Sequence, residues 1–330
     1  VTFQMEKVGL GLYPGKGYAG KVIVADIGIN TDKTVADVGV AYTYEPEEFR
    51  KLLPRRMEDS NKGMYGRLLI IAGSKGMSGA AYLNAKAAYK AGAGLVQIYT
   101  PEDNRIILQE LLPEAIVKTY DFFDEGELIR LLKWADTVCI GSGMGTSEKS
   151  KKILKTTLEN LSVPCLIDAD GLNLIAEHRK YMDRIPHDHL IITPHMKEMS
   201  RLTGISVLEL KSRRMEILKE FTEKHHITCV LKDSSTVVAS PGERAYINRS
   251  GNASMAKAGA GDVLAGIVAG LMAQGMDCQE AGILGTYLHG RAGDLARREK
   301  GSYSVMAGDL IEYLSEAFKE QEEKNYEQLY

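Results

Sequence analysis

From about residue 66 onward, short apolar runs rich in β-branched residues alternate with longer stretches of helical period. The runs RLLIIAG (67–73), LVQIYT (95–100), TVCIG (137–141), VPCLID (163–168) and HLIIT (189–193) are almost continuously apolar, as strands buried on both faces are. Between them lie helix-period segments such as 79–92 and 149–160, the latter with Ile153, Leu154 and Leu158 on one face. Strands separated by helices predict an α/β domain with a mostly parallel sheet covered on both faces. TCVLK (228–232), TVVAS (236–240) and RAYIN (244–248) follow one another through shorter connections and predict an antiparallel return. Apolar helices over 263–274 and 279–298 and an amphipathic helix over 307–323 close the chain. Residues 44–63 are dense in charge and carry two prolines, which places a linker over 46–63, between a short piece (1–45) and the α/β domain (64–330).

Composition narrows the functional classes. The chain has 330 residues, 44% hydrophobic and 26% charged, enough for a large core. A net charge of −3 without a basic block gives nucleic acid or an anionic membrane no electrostatic support. The longest apolar run, 263–273, is too short to span a bilayer. The start of the chain shows no basic region followed by an apolar one, and a cytoplasmic protein is expected. Cys139, Cys165, Cys229 and Cys278 form no CxxC pair and read as buried free thiols.

Ligands of open α/β sheets bind beyond the carboxyl ends of the strands, and the polar motifs of this chain fall there repeatedly. GSKGMSG follows the run 67–73, GSGMG follows 137–141, DADGLN ends 163–168, TPHMKEMSR follows 189–193 and KDSST follows 228–232. The glycines of the first match neither a dinucleotide fingerprint nor a P-loop. Asp168, Asp170 and Asn173 in DADGLN suit either Mg²⁺ held through water or an Asx turn. His195 and Glu198 share one helix face, as a cap with Thr193 at the helix start or as a substrate and metal contact. The segment GNASMAKAGAGDVLAGIVAG (251–270) sets Gly259, Ala260, Gly261 and Asp262 before an apolar helix. A bare N-cap explains Asp262 alone. Glycine-held N–H groups at a helix start also form an anion site, and an aspartate among them can deprotonate a hydroxyl attacking a phosphoryl group.

RLLIIAGS, SGAAYL, KAGAGLVQIYTPE, IGSGMG, LIDADGLN, TPHMKEMSRL, GNASMAKAGAGDVLAGIVAGLMAQG and YLHGRAGDLA stand in an order that resembles the ADP/ATP-dependent NAD(P)H-hydrate dehydratases over about residues 50–325. That resemblance implies a ribokinase-like three-layer sandwich. It implies an activity that phosphorylates the ring hydroxyl of hydrated NADH or NADPH with ADP or ATP and Mg²⁺, then eliminates phosphate. It also implies a homo-oligomer, a tetramer or larger. The competing expectation is a ribokinase-like kinase of a small vitamin precursor, a thiazole or pyrimidine alcohol.

Carried over by matching motif, Asp262 stands at the substrate hydroxyl with Gly259, Ala260 and Gly261 as the anion hole. Ala80, Gly145 and the run His195, Met196, Lys197, Glu198, Met199, Ser200 and Arg201 match positions that contact the hydrated dinucleotide. Lys232, Asp233, Ser234, Ser235 and Thr236 match one nucleotide-contacting stretch, and Asn252, Ala253, Ser254, Met255, Ala256, Lys257 and Ala258, continuing to Gly261, match another. Glu198 is the candidate to support Mg²⁺ through water. The family more often has proline at Ser142, Pro-Gly at Met196-Lys197 and Gly-Ala at Asp233-Ser234, so Asp233 is expected to add negative charge near the nucleotide. The piece VTFQMEKVGLGLYPGKGYAGKVIVADIGIN resembles the last portion of an NAD(P)H-hydrate epimerase domain, with KVIVADIG and TVADVGVAYT as residual strands. The chain is therefore expected to be a fragment or processed form of a bifunctional protein, with dehydratase but not epimerase activity.

Overall fold

The computed structural model describes residues 1–30, 41–178, 181 and 189–326, with side chains of the last helix described to Glu322. Ten strands form one sheet: β3 (Ala41–Tyr42), β4 (Arg67–Ile71), β5 (Leu95–Pro101), β6 (Ile116–Tyr120), β7 (Thr137–Ile140), β8 (Cys165–Ile167), β9 (Leu190–Ile192), β10 (Thr228–Leu231), β11 (Val237–Ala239) and β12 (Ala245–Ile247). Their order is β3-β12-β11-β10-β9-β8-β7-β4-β5-β6. The stretch from β10 to β6 is parallel throughout, and β11 runs antiparallel to both β10 and β12. All eight expected strands are present, and the antiparallel return is as the short connections predicted.

Side chains alternate across the sheet and so divide the core in two. Leu68 and Ile70 of β4 pack on one side with Ala81, Ala85, Val263 and Ile267. Helices α3 (Ser78–Lys90), α11 (Ala260–Ala273), α12 (Cys278–Lys300) and α13 (Ala307–Tyr326) supply that layer, with Leu108 of α4 (Arg105–Leu111). Leu69 and Ile71 point the other way, towards Leu128 of α5 (Glu125–Trp134), Ile153 of α6 (Glu148–Glu159) and Ile175 of α7 (Asp170–Glu177). Met199 of α8 (Met196–Thr203), Leu210 of α9 (Val207–Ser212) and Leu218 of α10 (Arg214–His225) complete this second layer. Helix α11 is apolar around its whole circumference because it is buried around its whole circumference, from Val263 to Ala273.

Two features depart from the sequence expectations. Strand β6 carries no strong apolar run because it is an edge strand whose residues alternate between exposed and half-buried. The segment read as a linker packs against the body: Phe49, 1% exposed, stacks face to face on Tyr287 at 3.6 Å, and Arg56 donates to the Gly92 carbonyl. One large aromatic among many charges is enough to anchor it. The N-terminal piece, with α1 (Val8–Gly11) and α2 (Gly15–Ala19), forms its own two-stranded parallel sheet from β1 (Thr2–Phe3) and β2 (Val24–Ala25). Of TVADVGVAYT, residues 34–40 lie outside the described residues, and Ala41–Tyr42 join the main sheet beside β12. Cys139, Cys165 and Cys229 are buried free thiols, and Cys278 is free and partly buried. Among the described residues no helix is long and apolar enough to cross a membrane.

Candidate active site

Five neighbouring parallel strands, β10, β9, β8, β7 and β4, end on one edge of the sheet, and each delivers a polar residue or tight turn there. The centre is Asp168, 1% exposed, directly after β8. Its Oδ1 accepts from Lys232 Nζ at 2.7 Å and from Thr193 Oγ1 at 2.7 Å, and its Oδ2 lies 3.5 Å from Ser142 Oγ. Asn84 of α3 donates to Ser142 Oγ at 3.2 Å, which explains an amide in an otherwise small and apolar helix face. Thr193 thus serves Asp168. The helix start expected of it belongs to His195.

The expected reaction residues converge here. Gly259 is the N-cap of α11 with φ 88°, a left-handed conformation suited to glycine, and it makes no side-chain cap. Asp262 therefore sits inside the first turn of α11 and is not its N-cap, which removes the capping explanation for this aspartate. A Cβ on Gly261 would lie 3.4 Å from Lys232 Nζ, so the ammonium stands against the start of α11. Burial, the Asp168 carboxylate and the more distant Asp170 raise the pKa of Asp262 to about 6, against a hydrogen bond from Ser142 and the charge of Lys232. Lys232 is held above the usual lysine range: burial works against its charge, and the carboxylates of Asp168, Glu198 and Asp262 overcome that. The site thus brings together a carboxyl whose pKa is raised to about 6, a fixed cation and a helix N-terminus.

The positions expected to touch the dinucleotide separate into two kinds. A hydrogen-bond chain runs from Gly145 N to Asp170 Oδ2 (2.9 Å), from Asn173 Nδ2 to Asp170 Oδ1 (3.3 Å) and from Arg201 Nη1 to Asn173 Oδ1 (2.6 Å). It ties Gly145 to Arg201 and favours the turn reading of DADGLN. Ala80 lies across from the same loop, close enough that a Cβ on Gly143 would press on it. His195 caps α8 through its ring: Nδ1 accepts from Lys197 N and Glu198 N, both at 3.1 Å, while Glu198 Oε2 accepts from His195 N at 2.8 Å. Met196 and Met199 turn into the core, and Ser200 donates to the Ile205 carbonyl. The structure therefore leaves His195, Lys197 and Arg201 as the more exposed members of that run.

The nucleotide stretches also meet. Lys232 N donates to the Pro194 carbonyl at 2.8 Å, which joins the KDSST loop to the start of α8. Asp233 Oδ2 accepts from buried Arg214 Nη2 at 2.6 Å, so the extra negative charge expected from Asp233 is matched. Ser235 is buried and Ser234 exposed, and the Thr236 carbonyl accepts from Asn248 N. The second loop hangs from α12: Asp294 accepts from Gly251 N at 3.0 Å and from Asn252 Nδ2 at 2.7 Å. Asn252 in turn caps the short 3-10 turn Ala253–Met255 by accepting from Ser254 N. Met255 packs over Gly293, and Lys257 points outward to the Tyr303 carbonyl, between Ala256 and Ala258 on an exposed bend. Ser142, Asn84 and Asp294 are residues that site assignment from the sequence missed, and Asp168, read there as a Mg²⁺ ligand or turn residue, is instead paired with Lys232. The sequence signals were polar residues stranded in small or apolar surroundings.

The carboxylates do not fit a dedicated metal cage. Asp168 is paired with Lys232, Asp170 closes a turn, and Glu198, expected to support Mg²⁺, turns its oxygens to its own helix cap, with Oε1 3.4 Å from His195 Nε2. Among the described residues no group of three or more His, Cys, Asp or Glu could hold a metal ion.

A mostly parallel central sheet flanked by helices on both faces is the ribokinase-like α/β fold, which the solved structures share. A ribokinase-like protein of Enterococcus faecalis superposes with a TM-score of 0.74 at 26% identity, over 85% of this chain and 96% of that one. The chain belongs to the NAD(P)H-hydrate dehydratase family, whose model matches residues 68–316. The ADP-dependent (S)-NAD(P)H-hydrate dehydratase of Bacillus subtilis is 33% identical over 83% of this chain and 96% of its own length. A structure of the Bacillus subtilis ADP/ATP-dependent enzyme co-crystallised with ATP/Mg²⁺ gives a TM-score of 0.75 at 29% identity, over 86% of this chain and 99% of that one. The bifunctional NAD(P)H-hydrate repair enzyme of Moorella thermoacetica is 37% identical over 98% of this chain, and the chain spans 62% of that relative's length. A hydroxyethylthiazole kinase of Pyrococcus horikoshii, 16% identical with a TM-score of 0.56, shares the fold alone.

Proposed function

We propose that this chain repairs hydrated NADH and NADPH by a nucleotide-dependent dehydration. The carrying observation is Asp262, a base held near neutrality at the first turn of α11, with the Lys232 ammonium beside Gly261. The substrate hydroxyl oxygen attacks the terminal phosphorus of ADP or ATP, and Asp262 takes the hydroxyl proton as the O–P bond forms. The bond to the leaving nucleotide phosphate breaks, and its charge falls to Lys232 and the free N–H groups of α11. Phosphate is a better leaving group than hydroxide. The ring nitrogen's lone pair expels it, and loss of a proton from the neighbouring carbon restores the double bond.

Ala80, Gly145, His195, Lys197 and Arg201 line the side given to the hydrated dinucleotide. The loops at 232–236 and 252–258 take the nucleotide. Mg²⁺ is part of this reading as a companion of the nucleotide phosphates, whose charge it neutralises when bound, since the side chains form no cage for it. The division into 1–45, 46–63 and 64–330, with the first part derived from an epimerase domain, belongs to the same proposal. So do a homo-oligomer of four or more chains and a place in the cytoplasm. Alignment of 98% of the chain with a bifunctional relative supports the origin of the N-terminal part.

The test mixes protein, Mg²⁺ and hydrated NADH with ADP or with ATP and follows NADH absorbance and phosphate together. Equal recovery of NADH and phosphate, dependent on nucleotide, is expected. A stable phosphorylated product instead would make the protein a small-molecule kinase.

A further inference from the structure

The carboxylate of Asp168 takes no part in the chemistry above, yet three strand ends are shaped around it. Its N–H donates to the Ile140 carbonyl and its carbonyl accepts from Gly171 N, both at 3.0 Å. The next residue, Ala169, stands at φ 48° and ψ −116°, a conformation alanine adopts only when its surroundings impose it. Gly141, at φ 127°, has no side chain, and a Cβ there would collide with the Asp168 carbonyl and press on Gly171 N. The side chain is fixed as firmly, between Thr193 and Lys232 on Oδ1 and near Ser142 on Oδ2.

Without Asp168, Lys232 has two other carboxylates within its electrostatic reach, Glu198 and Asp262, and Glu198 is already engaged in its own helix cap. An ammonium paired with Asp262 would lower the basicity of that carboxylate and withdraw the cation from the anion site. We propose that Asp168 is a positioning residue that holds the Lys232 ammonium at the N-terminal turn of α11, leaving that ammonium for the bound phosphate and Asp262 for the hydroxyl proton. This rests on the phosphoryl-transfer reading above.

The groups facing Asp262 are Asp168 and Asp170 from the end of β8 and the start of α7, Lys232 from the end of β10, Ser142 after β7 and the buried thiol of Cys139 on β7, which burial keeps protonated. Changing Asp168 to asparagine removes one like charge and releases Lys232 towards Asp262. Both effects favour the ionised form of Asp262, so the acid limb of turnover shifts to lower pH. A purely structural loss would lower activity without moving that limb.

The experiment measures ADP affinity by calorimetry and the pH profile of turnover for the wild type, Asp168→Asn, Lys232→Gln and the double variant. Asp168→Asn is expected to weaken ADP about tenfold and to lower the acid limb by roughly one pH unit. The double variant should bind ADP within about twofold of Lys232→Gln alone, because Asp168 acts through Lys232. Losses that multiply in the double variant, or an unmoved acid limb, would overturn the proposal. If Asp168→Asn fails to fold, Asp168→Asn with Lys232→Met, which removes both charges, is compared with Lys232→Met alone. Equal ADP affinity supports the assignment, and a further loss refutes it. A wild type that binds ADP yet restores no NADH sinks the dehydratase reading, while the ADP affinities still decide the role of Asp168.

Discussion

The proposed reaction centre and the loops proposed to take the nucleotide lie at the same edge of the sheet but are built by opposite means. The centre is a buried side-chain network in which Asp168, Lys232, Thr193 and Ser142 hold one another and surround Asp262. The loops at 232–236 and 251–258 are held mainly by backbone and by outside supports: Arg214 on Asp233, Asp294 on Gly251 and Asn252, and Met255 seated over Gly293. Charges in low dielectric set proton affinity and transition-state stabilisation, whereas tethered loops set how well a ligand is held. Damage to Asp262 should therefore appear in kcat and its pH dependence, damage to the loop supports in the KM for nucleotide, and damage to Lys232 or its holder Asp168, which join the two regions, in both.

The largest test of that division is Asp262→Asn. Loss of a general base should cut kcat by about 10²–10⁴-fold, with ADP affinity by calorimetry nearly unchanged. The same variant carries a stability signature. A carboxyl whose pKa rises to about 6 on folding makes the native state bind more protons than the unfolded chain, so stability falls as pH rises from about 4 to 6. The asparagine side chain does not titrate, so the variant should melt a few degrees above the wild type at pH 7.5 and lose that advantage below about pH 4. A variant that turns over normally would remove Asp262 from the mechanism.

Gly261→Val comes next. Its side chain would start 3.4 Å from Lys232 Nζ, between the ammonium and the anion it is meant to serve. A loss of roughly 10²-fold in kcat is expected, the scale of losing one oxyanion donor. Full activity would refute the anion site.

Asp294→Ala probes the other region. It removes a charged acceptor from Gly251 N and Asn252 Nδ2, and should raise the KM for ADP about tenfold while kcat stays within about twofold. A fall in kcat with an unchanged KM would mean that the two regions are not separable.

The same contrast explains what the sequence made legible. The parallel sheet was readable because continuous apolar runs such as 67–71 and 190–192 are buried on both faces. Asp262 and Lys232 were marked as candidates by glycines and strand ends, and the structure brings them within electrostatic reach of each other. Edge strand β6 was not, since half-exposed strands lack the pattern, and neither was the anchoring of 46–63 through Phe49, a contact with Tyr287 far along the chain. Asp168 and Asp294 were visible as residues but not as roles. Each acts through a partner 64 or about 43 positions away, and no local spacing encodes that pairing.

The smallest expected effect needs no mutation. In the proposed mechanism Asp262 takes the hydroxyl proton only when ionised, so wild-type kcat should fall below pH 6 and be about tenfold lower at pH 5 than on its plateau. Two neighbours keep that limb simple. Lys232 stays charged because its proton affinity is raised, and buried His289, lowered to about 4 chiefly by desolvation, stays neutral across the same range. The KM for nucleotide should change far less than kcat between pH 5.5 and 7.5. An acid limb in KM rather than kcat would place the titrating group among the loops and reverse the assignment of the two regions.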